Sequence, residues 1–176
     1  MIDIPRSQDS CLELVTRIIV PYDGSKPSEN ALCRALSLAE NHSQSSEITV
    51  LNVVQKIALP AMIQAPRFRS KITGEEITAE ILVKELGQQM KEAALKMLEE
   101  KKQEIIRAHP TGHIRTKTKV LIGQPTEEIV KYAKEASADM IIIGSVGRSG
   151  LSKLRTLGSV SRGVSERAPC PVMITR

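Results

Sequence analysis

Asp139-Met140-Ile141-Ile142-Ile143-Gly144-Ser145-Val146-Gly147-Arg148-Ser149-Gly150, closely followed by Gly158-Ser159-Val160, is the stretch that decides the fold of this chain. An apolar β-branched run stops at a glycine, a loop rich in glycine and serine follows, and a Gly-Ser pair opens a helix. A strand carries such a loop to the edge of a sheet, glycines let backbone N–H groups approach a ligand, and the helix N-terminus adds unpaired donors and a positive dipole end. The natural guest of that arrangement is a phosphate.

Working outward, Arg17-Ile18-Ile19-Val20-Pro21-Tyr22 is a short apolar run ended by the turn signal Asp23-Gly24-Ser25 and reads as the first strand. Ser25 is placed to cap a helix with Pro27 in its first turn and Leu32, Ala35, Leu36 and Ala39 on one face, running to about His42. Residues 47–54 are almost continuously apolar, as a strand covered on both faces must be. Residues 55–76 show no period and read as a long, mobile connection, with a charged amphipathic helix from about Glu75 to Ala108 after it. Leu82, Leu86, Met90, Ala93, Ala94, Met97 and Leu98 form its stripe and are expected to pack in the core.

Residues 114–122 alternate, with Arg115, Lys117 and Lys119 on one side and Thr116, Thr118 and Val120 on the other, which predicts a strand with one wet face at a sheet edge. Pro125, Glu127 and Glu128 open a third helix, residues 140–143 are the fourth strand, Ser159 begins a fourth helix, and Val172-Met173-Ile174-Thr175 is a last strand. Five strands alternating with four helices predict an open parallel α/β sheet with helices on both faces and a ligand beyond the carboxyl ends of its strands. Residues 1–16 read as an N-terminal extension and 17–176 as one domain.

With 41% hydrophobic and 26% charged residues the chain has the composition of a globular protein. Its net charge of +5 is modest, and Tyr22, Phe68 and Tyr132 are its only aromatics, which leaves no stacking platform for single-stranded nucleic acid. Cys11, Cys33 and Cys170 are odd in number and far apart, which suits neither a disulfide framework nor a zinc site. No apolar leader and no run long enough to span a membrane are present, so a soluble cytoplasmic protein without a membrane partner is expected. His42, His109 and His113 stand at helix ends or turns without metal-ligand spacing.

The glycine loop is neither of the common nucleotide fingerprints. A dinucleotide site wants GxGxxG after the first strand, where Asp23-Gly24-Ser25-Lys26 stands instead. The string Gly158 to Ser165 has Walker A glycine spacing but Val164 in place of the phosphate-binding lysine. Arg17 to Ser25, Gly123-Gln124-Pro125-Thr126-Glu127-Glu128-Ile129, Asp139 to Gly150, Gly158-Ser159-Val160 and Ala168-Pro169-Cys170-Pro171-Val172 together closely resemble the universal stress protein family. The resemblance extends from Arg17 to Thr175.

It implies a Rossmann-like sheet of strand order 3-2-1-4-5 and, in the ATP-binding branch, a nucleotide held by a G-x2-G-x9-G-[S/T] loop. By position, Gly144, Ser145, Val146, Gly147 and Arg148 would meet ribose and phosphates. Gly158, Ser159 and Val160 would hold phosphate oxygens, and Pro21, Asp23 and Val53 would contact base and ribose. Ten residues separate Gly147 from Gly158 here, one more than the motif has. The cofactor so implied is ATP, or AMP or ADP, with Mg or Mn carried by the phosphates and Asp23 placed to help hold that ion.

Hydrolysis needs a positioned base or water-orienting residue and a firmly held metal. Asp23 is all the sequence offers, so the expected role is a nucleotide-responsive regulatory or binding module, at most a slow ATPase. The alternatives are a structural or interaction member of the same fold without nucleotide, and a nucleotidyl-transferring enzyme, which the absence of HxGH after the first strand disfavours. The resemblance further implies a homodimer through the C-terminal strand, whose edge a second subunit would cover.

Overall fold

In a computed structural model the described residues are 16–41, 45–56, 67–69, 74, 76–110, 112–147 and 157–176. Strands β1 (Arg17–Pro21), β2 (Ser46–Val54), β3 (Arg67–Arg69), β4 (Glu76–Thr78), β5 (Ile114–Ile122), β6 (Met140–Gly144) and β7 (Val172–Thr175) alternate with helices α1 (Lys26–Glu40), α2 (Ala79–Ala108), α3 (Pro125–Glu135) and α4 (Ser159–Arg167). The main sheet is five-stranded in the order β5-β2-β1-β6-β7, and every pairing in it is parallel. Counting its five strands along the chain gives the expected order 3-2-1-4-5.

Strand alternation builds a core on each face. Ile18, Val20, Ile48, Val50 and Ile142 turn to one side, where they meet Ala31, Leu32 and Ala35 of α1 and Leu98 and Ile105 of α2. Ile19, Leu51, Ile141 and Ile143 turn to the other, against Ile129 and Ala133 of α3 and Val164 of α4. Burial of each large aliphatic side chain is worth about 1.5–3 kcal/mol, which is why β1 and β6 tolerate almost no polar residue. On β5, Arg115, Lys117 and Lys119 are exposed while the intervening residues are half-buried, as the alternation requires of an edge strand.

Two expectations about the middle of the chain are corrected. Residues 67–69 and 76–78, read as part of a structureless connection, form an antiparallel pair with Phe68 opposite Ile77. Consequently α2 begins at Ala79 and not near Glu75, with the Thr78 hydroxyl accepting from the Ile81 N–H at 3.5 Å as its N-cap. The apolar stripe of α2 is not core along its whole length either. Leu98 and Ile105 are buried, but between Glu80 and Ala93 no residue is, and Leu86 and Met90 are 40% and 43% exposed. At 1.5 Å per residue a 30-residue helix is about 45 Å long and outruns a nine-residue strand, so its first turns pass beyond the sheet.

The base of the sheet is clasped by Asp139, whose carboxylate accepts from the Arg17 N–H at 2.7 Å and the Thr16 N–H at 3.0 Å. Burial works against its charge, but these backbone bonds, the Thr16 hydroxyl and Arg17 outweigh that and hold its pKa below the ordinary value. No helix among the described residues is long and apolar enough to cross a membrane.

Candidate functional site

From β1 the sheet grows first toward β2 and β5, then on the other side toward β6 and β7, so connections diverge between β1 and β6. At the carboxyl ends of these strands lies a cleft of about 690 Å³, within the usual size of a small-molecule site. Pro21 and Asp23 line it from the β1–α1 turn, Val53 from the end of β2, and Gly144, Val146 and Gly147 from the end of β6. Gly158, Ser159 and Val160 line it from the start of α4. Ser145 belongs to the same loop but is buried and is not among the lining residues; Arg148 lies outside the described residues.

The two ends of the glycine loop are fastened together. The Gly158 N–H and the Ser161 hydroxyl both donate to the Ser145 carbonyl, each at 2.8 Å, and the Ser145 N–H donates to the Thr175 carbonyl at 2.6 Å. Whatever path residues 148–156 take, Gly158 is therefore held at the mouth of β6 and the ten-residue spacing does not remove it from the cleft. Gly144 is required by close packing: a Cβ there would lie 2.7 Å from the Pro27 carbonyl carbon and 2.9 Å from the Ser28 nitrogen. A Cβ on Gly147 would lie 2.8 Å from an Asp23 carboxylate oxygen.

Three helix N-termini border the cleft, and among the described residues only that of α4 has neither a capping side chain nor an acidic first turn. At α1, Ser25 accepts from the Ser28 N–H at 3.3 Å, Asp23 accepts from the Ser25 N–H at 3.0 Å, and Glu29 adds negative charge to the first turn. At α3, Pro125 has no N–H to offer and Glu127 and Glu128 occupy the first turn. At α4, the cap is Gly158, no side chain caps the helix, and the first turn has no acidic residue. The N–H groups of Ser159, Val160 and Ser161, which no helix of this geometry can satisfy internally, thus meet the cleft with the dipole behind them.

The opposite end of the cleft combines apolar surface from Leu51, Val53, Val54 and α2 with the polar side chains of Asn52 and Gln55. In the β2 ladder Leu51 faces β1, its carbonyl accepting from the Tyr22 N–H at 2.7 Å, while the Val54 carbonyl faces β5 and accepts from the Gly123 N–H at 3.0 Å. Peptide orientation alternates along a strand, so Val53 also faces β1, which has already ended at Pro21. The carbonyl of Tyr22 accepts instead from the Asn52 side chain at 2.7 Å. Among the described residues outside β5 no backbone partner on the β1 side meets the Val53 N–H and C=O, which lie side by side on the edge of β2 that lines the cleft.

Residues of the wall that sequence reading missed come from α2. Met90, Ala93, Ala94 and Met97 line the cleft, and Met97 lies over the β1–α1 turn, where a Cβ on Gly24 would come within 3.3 Å of its sulfur. Their i, i+3, i+4, i+7 spacing was visible as an amphipathic stripe, but periodicity alone does not say what the stripe faces. Below them the Tyr22 hydroxyl donates to Glu29 at 2.7 Å, and the Lys101 ammonium, 5.8 Å from the Tyr22 ring centroid, donates to Glu29 at 3.1 Å. Burial and then the Glu29 carboxylate push the Tyr22 phenol up to about 12. Burial opposes the Lys101 charge, yet its bonds to Glu104 and Glu29 prevail and keep it above the usual lysine value. Burial, with the Asp139 charge second, pushes the Cys170 thiol up, which makes it a poor nucleophile.

A Rossmann-like sheet with a cleft at its switch point places the chain in the class of open parallel α/β folds. A family model described as "Universal stress protein family" matches residues 15–176. The universal stress protein YxiE of Bacillus subtilis is 33% identical over 163 residues, covering 93% of this chain and 100% of the relative. Among solved structures, the universal stress protein UspA from Lactobacillus plantarum superposes with a TM-score of 0.70 at 25% identity, covering 92% of this chain and 98% of that one. The chain belongs to the universal stress protein family. More distant structures share the fold: a universal stress protein in complex with cAMP (TM-score 0.56, 20% identity, covering 92% of this chain and 97% of that one) and one from Arabidopsis thaliana with AMP bound (0.54, 17%, 91% and 90%).

Proposed function

We propose that this protein is a cytoplasmic, nucleotide-responsive binding module whose cleft takes ATP, or AMP or ADP, with the phosphates on the N-terminus of α4. The observation that carries the reading is the difference between the three helix starts: two are capped or acidic, and the α4 start opens onto the cleft unblocked. The Val53 peptide supports adenine at the other end, since the amino group and N1 of adenine offer a donor beside an acceptor, the complement of a C=O beside an N–H. The AMP and cAMP in the two distant structures of this fold are consistent with it.

Gly144, Val146, Gly147 and Pro21 then surround the ribose, with Gly158, Ser159 and Val160 at the phosphates. Ser145 acts through its backbone hydrogen bonds, which tie the start of the loop to Gly158 and Ser161 at its far end and to Thr175 of β7. Among the described residues no three His, Cys, Asp or Glu side chains gather into a metal site, so the Mg or Mn proposed is one that arrives on the phosphates, with Asp23 the carboxylate at hand. Asp23 is the one carboxylate among the described cleft-lining residues that could serve as a base or orient water, and the hydrolysis proposed is at most slow. We place the homodimer contact on β7, the strand at one end of the sheet order, where a second copy would cover the open edge.

The absorbance of the purified protein tests the reading. With no tryptophan and two tyrosines the chain absorbs weakly at 280 nm, so a bound adenine nucleotide dominates near 260 nm and can be identified by chromatography after acid release. A protein that carries no nucleotide and gives no heat on titration with ATP and magnesium contradicts it.

A further inference from the structure

Resting on that reading, we propose that the α2 face formed by Met90, Ala93, Ala94 and Met97 is the base-recognising wall of the cleft and selects purines over pyrimidines. These four residues stand at i, i+3, i+4 and i+7, so they share one face, with the two methionines about 10 Å apart along the axis and the alanines between them. The small side chains leave a shelf and the long thioethers bound it at either end. Core packing accounts for Ala94, which is buried, and for Met97, which packs against the core on that face of the sheet, but not for Met90 and Ala93, which are exposed. Ala94 is the first buried residue after Ala79, and Met90 and Ala93 lie in the part of the helix that extends past the sheet.

The chemistry of the wall follows from what else is there. Tyr22 is the one aromatic residue lining the cleft among those described, and its ring is engaged by Lys101 while its hydroxyl is bound to Glu29. A planar base therefore has thioether and alkyl surface to lie on, and sulfur–aromatic contact is favourable in itself. With its edge turned to the Val53 peptide, a two-ring base spans more of the shelf between the methionines than a one-ring base does. The side chains that choose the base are then on α2, and those that hold the phosphates are on α4.

The test compares AMP, CMP and inorganic tripolyphosphate by titration calorimetry on the full chain. The wild type should prefer AMP to CMP by about tenfold or more, and Met90→Gln and Met97→Gln should each weaken AMP by a factor of about two to ten. Ala93 is exposed, so Ala93→Phe is expected to fold; by filling the shelf it should weaken AMP about tenfold or more while tripolyphosphate affinity stays unchanged. Unchanged AMP affinity in Ala93→Phe and in both methionine variants overturns the assignment and leaves the nucleotide reading standing. Equal loss of AMP and tripolyphosphate also overturns it, since the wall would then act on the whole cleft. Failure of the wild type to bind AMP, ATP or tripolyphosphate removes the nucleotide reading and this proposal with it.

Discussion

Gly144→Ala is the smallest change that should disturb both the fold and the cleft. The added methyl group would stand 2.7 Å from the Pro27 carbonyl carbon, 2.9 Å from the Pro27 Cβ and 2.9 Å from the Ser28 nitrogen, all closer than real Cβ atoms come to their neighbours. Two of the three are main-chain atoms in the first turn of α1, so no rotamer change relieves the contact and the helix start must move. That start is held from the other side, because the Thr175 hydroxyl donates to the Pro27 carbonyl at 3.2 Å. Overpacking of this kind costs about 1–3 kcal/mol, and the backbone partners put it in the upper part, about 2–3 kcal/mol. For a chain of this length each kcal/mol moves the midpoint by about 2–4 °C, which gives a fall of about 4–12 °C in thermal unfolding followed by circular dichroism. Because Asp23 and Ser25 move with the helix start, nucleotide affinity should fall as well. A variant that melts within about 2 °C of the wild type would refute the packing argument.

Other outcomes can be stated more briefly. Gly87→Ala should have the opposite sign: a Cβ there meets nothing within 4 Å, and removing a helix-interior glycine should add about 0.5–1 kcal/mol, seen as a higher urea midpoint. Asp139→Ala should cost about 1–2 kcal/mol at pH 7 by freeing the Thr16 and Arg17 N–H groups. The folded pKa of Asp139 is depressed, so its contribution is full above the unfolded value of about 3.9 and lost as pH falls through the folded one. Urea unfolding of variant and wild type should converge in acid. Tyr22, raised to about 12, stays protonated in the folded state while it would ionise near 10 when unfolded, so stability falls as pH rises from 10 toward 12. A difference titration of phenolate absorbance between wild type and Tyr22→Phe should place that midpoint near 12, and a midpoint near 10 would contradict the burial of the phenol and its bond to Glu29.

The sheet was legible because its physics is local. A strand covered on both faces must be apolar at every position, and the Ile and Val runs of β1, β2 and β6 say so; a strand with one wet face must alternate, as Arg115, Lys117 and Lys119 do on β5. The two ends of the glycine loop were legible for a similar reason, since an apolar run that stops at Gly144 and a Gly158-Ser159 pair before a helical stretch mark a strand end and a helix start. The β3–β4 pair was not, because two three-residue strands carry no period. Nor was the α2 wall: Met90, Ala93 and Met97 share a stripe with Leu98, and only the three-dimensional arrangement separates the buried Leu98 from those that line the cleft. Ser145 shows the same limit in one residue, lying between two glycines of the loop yet turned inward to hold it.

The central claim is that an adenine nucleotide spans from the Val53 peptide to the start of α4, and amide chemical shifts report on both ends at once. In nitrogen–proton correlation spectra, addition of ATP to roughly millimolar concentration should move the amides of Val53, Ser159 and Val160 most, with those at the base of the sheet, such as Arg17, unmoved. Shifts confined to the capped start of α1, or no shifts at all at that concentration, would contradict the account.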